Sequence, residues 1–272
     1  MTTAPPGRRT RRRPGSGVPL PLLIPAAVGV VFLVLPLIGL LVRTPWSALA
    51  PALARPEIGQ ALRLSLLSAS LATVVSTVLG VPIAWVLARS AARGRTVLRA
   101  LVTVPLVLPP VVGGVALFLV LGRQGILGSW LDDSFGITIP FTTTAVVIAE
   151  TFVAMPFLVI SVEGALRAAD ARFEDAAATL GADRWTTFRR VTLPMVAPGV
   201  AAGAVLCWAR ALGEFGATIT FAGNFPGTTQ TMPLAVYLAL ERDVDAAIVL
   251  SLVLLVVSVV ILASLRDRWI SG

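Results

Sequence analysis

Six long apolar runs, separated by short segments that carry arginine, dominate this chain of 272 residues. Each run has about the 20 residues that an α-helix needs to cross the hydrocarbon core of a bilayer. With 56% hydrophobic and 13% charged residues, the chain has more apolar side chain than a soluble domain of this size can bury. We therefore predict an all-α, polytopic membrane protein. The predicted spans are 18–42, 64–88 (between Arg63 and Arg89), 100–122, 139–162, 194–221 and 246–265.

The distribution of arginine predicts how these spans are oriented. The chain has 22 basic residues, and all of them are arginine. If both termini are cytoplasmic, sixteen arginines lie on the cytoplasmic side, five lie outside, and Arg210 lies within a span. The positive-inside rule favours this orientation. It places residues 163–192 in the cytoplasm of a protein of the cytoplasmic membrane.

The first 17 residues are rich in arginine, proline and glycine, and we predict that they form a disordered cytoplasmic tail. A secretory signal peptide is the alternative for residues 1–42. The uncharged run 18–42 is longer than a typical signal core, which favours an uncleaved first span. The membrane domain is then 18–272, with a core of about 61–268.

Missing residue types exclude several kinds of active site. Without histidine there is no Ser-His-Asp triad and no histidine metal site, and without lysine there is no Walker A phosphate loop. No predicted span contains the aspartates that an intramembrane aspartyl protease needs. The single Cys207 excludes an intrachain disulfide. We expect no catalytic residue, metal or cofactor in this chain, and no nucleic-acid partner.

The polar stretch 170–194 has the signals of two short helices between the fourth and fifth spans. Asp170 is a candidate N-cap, and Gly181 is a candidate left-handed residue at the helix end. Asp183 then caps a basic helix that ends before Pro194. The pattern fits a knob that enters a groove on another protein, and it also fits an ordinary loop helix. The apolar face of the first helix is Phe173, Ala176, Ala177 and Leu180.

The same stretch resembles the EAA signature of importer-type ATP-binding-cassette (ABC) permeases. Asp175-Ala176-Ala177 is followed at the family spacing by Gly181 and by Val191-x-Leu193-Pro194. Asp175 replaces the usual glutamate and Val191 the usual isoleucine. The resemblance implies a coupling helix that docks in a cleft of a cytoplasmic ATPase subunit. The residues to which it assigns coupling are Phe173, Glu174, Asp175, Ala176, Ala177, Gly181, Leu193 and Pro194.

Three ionisable residues, Glu150, Arg210 and Glu214, lie within predicted spans. Charges at this depth are costly, so each should face the interior of the bundle and have a partner. Arg210 and Glu214 are four residues apart and can pair on one helical face. The pair has a structural role, a role in the solute path, or both. Glu150 is a second candidate partner of Arg210 across helices.

Hydroxyl side chains near the outer half of the bundle are candidates for contacts with an oxyanion, which needs hydrogen-bond donors and a positive potential. Hydrogen bonds from threonine to its own helix backbone are the alternative role. We assign Thr218 and Asn224 to the path or gate, with Glu150, Arg210 and Glu214. The other hydroxyl candidates are Thr142, Thr143, Thr144, Thr151 and Thr220.

A second resemblance indicates which solute the chain transports. The runs RALGEFGA at 210–217, AGNFPG at 222–227 and TQTMPLAVY at 229–237 are similar to molybdate permease subunits. The resemblance implies a homodimer in membrane lipid that works by alternating access. It also implies two ATP-binding subunits, which hold ATP and Mg, and an extracytoplasmic oxyanion-binding protein. A sulfate or tungstate permease is the near alternative. A stand-alone secondary transporter or channel is the alternative from another class.

Overall fold

The computed structural model describes residues 20–90 and 94–270, and within these residues it contains helices and no strand. The all-α prediction is therefore confirmed. The predicted tail 1–17 and Arg93 lie outside the described residues. The helices are α1 (Leu20–Arg43), α2 (Trp46–Leu53), α3 (Pro56–Arg89), α4 (Arg95–Val107), α5 (Pro110–Leu121), α6 (Gly128–Phe135), α7 (Thr143–Ala168), α8 (Arg172–Thr179), α9 (Arg184–Thr187), a π-helical segment (Phe188–Thr192), α10 (Leu193–Leu212), α11 (Gly216–Phe221), α12 (Met232–Leu240) and α13 (Val244–Ile270).

The described residues divide into two compact units, one that ends at Arg43 and one that begins at Thr44. In the first unit, α1 is an apolar helix of 24 residues with Pro25 and Pro36 inside it. Its length and hydropathy suffice to cross a membrane, as predicted for the first span.

Three helices, α3, α7 and α10, form the centre of the second unit. Small residues let them approach closely, as is usual between membrane helices. A Cβ atom on Gly80 of α3 would lie 2.8 Å from Cδ2 of Leu158 on α7. A Cβ atom on Gly203 of α10 would lie 3.0 Å from Cβ of Ser161 on α7. The two glycines therefore let α3 and α10 pack closely on α7, without room for a larger residue at either position.

The third predicted span, 100–122, is not one continuous helix. It consists of α4 and α5, and the chain bends by 117° between them. Leu108 precedes Pro109 and is extended, with φ −66° and ψ 133°, as steric clash with a following proline requires. Pro110 then starts α5 in the first turn, where its missing N–H costs nothing. The consecutive prolines break the helix instead of bending it.

The pair α4–α5 nevertheless follows α7 from one end to the other. Leu98 of α4 packs against the buried cluster that contains Leu166, near the C-terminal end of α7. Leu121 of α5 packs against the cluster that contains Val146, near the N-terminal end of α7. We therefore count α4–α5 as one broken crossing. Together with the five long apolar helices, this gives the predicted six spans.

The fifth predicted span, 194–221, also differs from the prediction. The helix α10 ends at Leu212, the backbone leaves the helical conformation over 213–215, and the short α11 follows. The predicted outer segment 222–245 contains α12, in which Met232 and Leu234 are fully buried. This segment therefore returns into the bundle. The predicted outer loop 123–138 contains α6, whose Trp130 is exposed.

Candidate functional site

The segment 170–194 begins with α8, which ends in a Schellman motif. The N–H of Gly181 donates to the carbonyl of Ala178, and the N–H of Ala182 donates to the carbonyl of Ala177, both at 3.0 Å. Gly181 has φ +86°, so the predicted left-handed helix end is confirmed. The N-terminal boundary residue is Ala171, not Asp170. Asp170 instead accepts a hydrogen bond from the N–H of Arg172.

Asp183 caps α9, as predicted, by accepting a hydrogen bond of 2.6 Å from the N–H of Thr186. Hydrogen bonds from Thr186 hold the pKa of Asp183 below its ordinary value, so the cap is charged at neutral pH. The prediction that the basic helix ends before Pro194 is wrong. One continuous helical element runs from Arg184 to Leu212, and its π-helical turn comes just before Pro194. Proline clashes with the carbonyl four residues earlier, and a wider turn relieves that clash.

An apolar face of the segment is exposed. Phe173 is 59% exposed, Leu180 89% and Trp185 67%. Trp185 stacks on Phe188, which in turn contacts Trp85 of α3 edge to face, with ring centroids 5.0 Å apart. The sequence analysis missed Trp185, although an aromatic residue in the basic second helix was a visible signal. The other assigned coupling residues Asp175, Ala176, Gly181 and Pro194 are also exposed, while Ala177 and Leu193 are half-buried.

Glu174 differs from its neighbours because its carboxylate faces the bundle. The Nη2 atom of Arg89, at the end of α3, lies 2.9 Å from Oε1 of Glu174. The hydroxyl of Thr192 donates to the same oxygen at 3.1 Å. One carboxylate oxygen thus joins α8 to α3 and to the π-helical segment.

A second ionic cluster lies close by and was missed by the sequence analysis. Glu163, near the end of α7, pairs with Arg99 of α4 and with Arg167, whose Nη2 atom is 2.7 Å away. Arg167 also donates to the carbonyl of Leu87 on α3. The spacing of four residues between Glu163 and Arg167 was the available sequence signal. This cluster fixes the ends of α3, α4 and α7 relative to one another.

The predicted pair of Arg210 and Glu214 is present. Nη2 of Arg210 lies 2.6 Å from Oε2 of Glu214, and the carboxylate is almost fully buried. The two residues do not share a helix, because Glu214 lies in the break after α10. Its Oε1 accepts a hydrogen bond of 2.8 Å from the N–H of Ala217 in α11. Glu214 therefore joins the end of α10 to the start of α11.

Glu150 pairs with Ser68 and not with Arg210. The Ser68 hydroxyl on α3 donates to Oε1 of Glu150 at 2.8 Å, and Glu150 is 1% exposed. Its Oε2 is buried and has no hydrogen-bond partner among the described residues. Ala149 and Ala217 belong to one buried cluster, so α7 and α11 meet where Glu150 lies.

The remaining candidates for the solute path differ in how exposed their side chains are. Thr218 is fully buried, and its hydroxyl has no hydrogen-bond partner among the described residues. Arg210 and Asn224 are partly exposed. Oδ1 of Asn224 accepts a hydrogen bond from Nε2 of Gln230. Thr151 and Thr220 donate to carbonyls of their own helices, which is the structural role considered for these hydroxyls.

The comparison with known families decides what kind of protein this is. Residues 76–272 match the model of the binding-protein-dependent transport system inner membrane component. The chain belongs to this family. It is a multi-pass inner-membrane permease, and its apolar helices agree with that assignment.

Curated relatives of this permease cover nearly its whole length. The "Molybdenum transport system permease protein ModB" of Mycobacterium tuberculosis is 49% identical over 257 residues, which is 94% of this chain and 96% of the relative. The "Sulfate transport system permease protein CysT" of Escherichia coli is 35% identical over 240 residues, covering 87% of this chain and 86% of the relative.

The fold of this permease also matches a solved structure. The structure is that of a bacterial alginate ABC transporter in complex with an alginate pentasaccharide-bound periplasmic protein. The TM-score is 0.73, and the match covers 91% of this chain and 92% of the other at 18% identity. This likeness supports the importer-type permease fold.

Proposed function

We propose that this permease is the membrane-spanning subunit of an ABC importer that carries molybdate into the cell. The observation that carries the proposal is its identity of 49% to a molybdenum permease over 94% of the chain, against 35% to a sulfate permease. In this proposal the permease moves molybdate by alternating access, and a partner subunit hydrolyses ATP. Sulfate transport is the second candidate, because a sulfate permease is also a relative.

The segment 170–194 is proposed to couple the permease to the ATPase. Three exposed side chains are the apolar anchors that a groove on another protein would cover. They are Phe173 in α8, Leu180 at the end of α8, and Trp185 in α9. Small residues at Ala176 and Ala177 would let the backbone of α8 enter the groove closely. The arginine distribution supports a cytoplasmic location for this segment and for both termini.

The solute path is proposed to pass Arg210. A molybdate ion is a dianion, and a partly exposed guanidinium next to the break between α10 and α11 would attract it. Glu214 offsets the charge of Arg210, so that the anion is not held too tightly to leave. Asn224 supplies a polar group on the outer side of this position.

The proposed assembly contains two copies of this chain, two ATPase subunits and one binding protein on the outer face. The alginate transporter, which shares the fold, was solved with a periplasmic binding protein, and this supports the last of these partners. The membrane is the remaining partner, since exposed apolar side chains cover much of the long helices.

Uptake of labelled molybdate tests the proposal in cells that carry the complete system and lack other molybdate transporters. We expect unlabelled molybdate to compete fully and sulfate to compete weakly at the same concentration. Competition by sulfate as strong as that by molybdate would favour the sulfate permease. Deletion of this chain alone should abolish the uptake.

A further inference from the structure

The contact between Glu174 and Arg89 connects α8 to the bundle, in addition to the ring contact between Phe188 and Trp85 further along the coupling segment. Oε1 of Glu174 receives Nη2 of Arg89 at 2.9 Å and the Thr192 hydroxyl at 3.1 Å. The side chains of Glu174 and Arg89 are 17% and 21% exposed, and Thr192 is fully buried. A charge-assisted hydrogen bond that is shielded from water in this way is among the stronger polar contacts in a protein.

No residue of α8 is fully buried, and its large apolar residue Phe173 is exposed, so apolar packing contributes little to holding this helix against the bundle. Of the other side-chain contacts that the described residues show for α8, the hydrogen bond from the Thr179 hydroxyl to the carbonyl of Ala176 stays within the helix, and Arg172 pairs with Asp170 just before the helix. Among the described residues, Glu174 supplies the side-chain link from α8 to α3 and to the π-helical segment. Glu174 contacts two elements: α3 through Arg89, and the continuous helix that contains α10 through Thr192.

The residues that receive this link lead into the membrane. Arg89 is the last residue of α3, and α3 packs on α7 along the central buried cluster. Thr192 is the last residue of the π-helical segment, which continues directly into α10. A single π-helical turn within an α-helix is rare and is found frequently at functional sites. A displacement of α8 would reach both helices through the same carboxylate.

We propose that Glu174 is a positioning residue for transport, which transmits movement of the coupling segment to α3 and α10 through Arg89 and Thr192. This inference rests on the coupling role proposed above for the segment 170–194. It separates two functions within that segment. Phe173, Leu180 and Ala177 belong to the face that docks on the ATPase, and Glu174 belongs to the link behind that face.

The test compares Glu174→Ala with Asp132→Ala in the assembled transporter, reconstituted with its ATPase and binding protein in proteoliposomes. Asp132 is a matched control: its carboxylate pairs with Arg123 at 3.0 Å, a distance close to that of the Glu174–Arg89 pair, but it lies outside the coupling segment and Arg123 is exposed. The measured quantity is molybdate transported per ATP hydrolysed, normalised to assembled complex. We expect this ratio to fall by at least about fivefold for Glu174→Ala, the lower end of typical coupling between sites, and to stay at the wild-type level for Asp132→Ala. A wild-type ratio for Glu174→Ala would overturn the inference.

A second variant decides the question if Glu174→Ala fails to assemble. Thr192→Val keeps the side-chain volume and the ion pair, and it removes only the hydroxyl that reaches Glu174. We expect assembly at the wild-type level with a lowered transport ratio, whereas an unchanged ratio would overturn the inference. Ala177→Arg separates this outcome from failure of the coupling proposal itself. If Ala177→Arg leaves ATPase docking intact, the coupling proposal is wrong. If Ala177→Arg abolishes docking, but Thr192→Val and Glu174→Ala keep the wild-type transport ratio, only the proposed role of Glu174 is wrong.

Discussion

Nη2 of Arg210 lies 2.6 Å from Oε2 of Glu214, across the point at which α10 ends. The other oxygen of the same carboxylate accepts the N–H of Ala217 in α11. Glu214 therefore balances a charge within the membrane and also supports the break in the helix. Substitutions that remove the ion pair with Arg210 and substitutions that remove the hydrogen bond to Ala217 should therefore have different effects.

Reversal of both charges tests whether Arg210 takes part in transport. Arg210→Glu or Glu214→Arg alone strands a buried charge, which typically costs about 3–5 kcal/mol, so each should lower the amount of assembled transporter. The double variant should recover much of the assembly. Because it removes the guanidinium from its position beside the path, uptake per assembled complex should remain low. Full uptake in the double variant would remove Arg210 from the path.

Glu214→Gln isolates the ion pair from the hydrogen bond to Ala217. Glutamine keeps an oxygen that can accept the N–H of Ala217, whereas Glu214→Leu removes it. We expect Glu214→Gln to assemble better than Glu214→Leu, as measured by the yield of monodisperse complex after purification. Equal yields would show that the capping hydrogen bond contributes nothing to the break between α10 and α11.

The contact between Ser68 and Glu150 predicts that Glu150→Gln is tolerated. Glutamine can accept the same hydrogen bond from Ser68, and it carries no charge that the bundle must bury. Glu150→Ala removes this hydrogen bond, at a cost of about 0.5–1.5 kcal/mol, and leaves the Ser68 hydroxyl only its longer contact of 3.3 Å with the carbonyl of Ser65. Thermal unfolding of the purified permease should therefore show a lower midpoint for Glu150→Ala than for Glu150→Gln. The opposite order would contradict the structural role of this contact.

Gly181→Pro and Ala177→Arg should uncouple the transporter without removing it from the membrane. At Gly181 the φ angle of +86° and the N–H donated to Ala178 both exclude proline. Arginine at position 177 is too large for a closely docked helix face. We expect ATP hydrolysis stimulated by the loaded binding protein to fall by at least about fivefold, the lower end of coupling between sites. Stimulation at the wild-type level by an assembled complex would show that the segment does not couple.

Thiol labelling tests the orientation of the chain. In a background of Cys207→Ala, a cysteine at Ala182 and another at Ser129 should react with an impermeant reagent from opposite sides of the membrane. Both positions are partly exposed, so the reagent can reach them, and the native Cys207 is buried. Labelling of both positions from outside would contradict six crossings with cytoplasmic termini.

Much of this fold follows from the sequence, because about 20 consecutive apolar residues have few options other than a spanning helix. Gly181 and Asp183 were predictable for the same kind of local reason, since each satisfies a backbone requirement at a helix end. The sequence also placed Arg210 and Glu214 at pairing distance. Their spacing indicated a contact, although it did not reveal that the helix ends between them.

Tertiary contacts explain what the sequence did not reveal. Pro109 and Pro110 indicated a distortion, but the angle of 117° depends on how α4 and α5 pack along α7. The apolar run 194–221 gave no local signal for the break at 213–215. Glu174 was assigned to coupling by the resemblance to the EAA signature, which does not indicate where its carboxylate points. Arg89, 85 residues away in the sequence, and Thr192 draw that carboxylate towards the bundle.

Transport by the purified system tests the central claim most directly. The permease, its ATPase and its binding protein would be reconstituted in proteoliposomes with ATP on the ATPase side, and labelled molybdate would be supplied with the binding protein. We predict accumulation that requires ATP hydrolysis and that stops when the ATPase or the binding protein is left out. Accumulation by the permease alone, or ATP-driven accumulation of sulfate without molybdate, would contradict a molybdate importer of the ABC type.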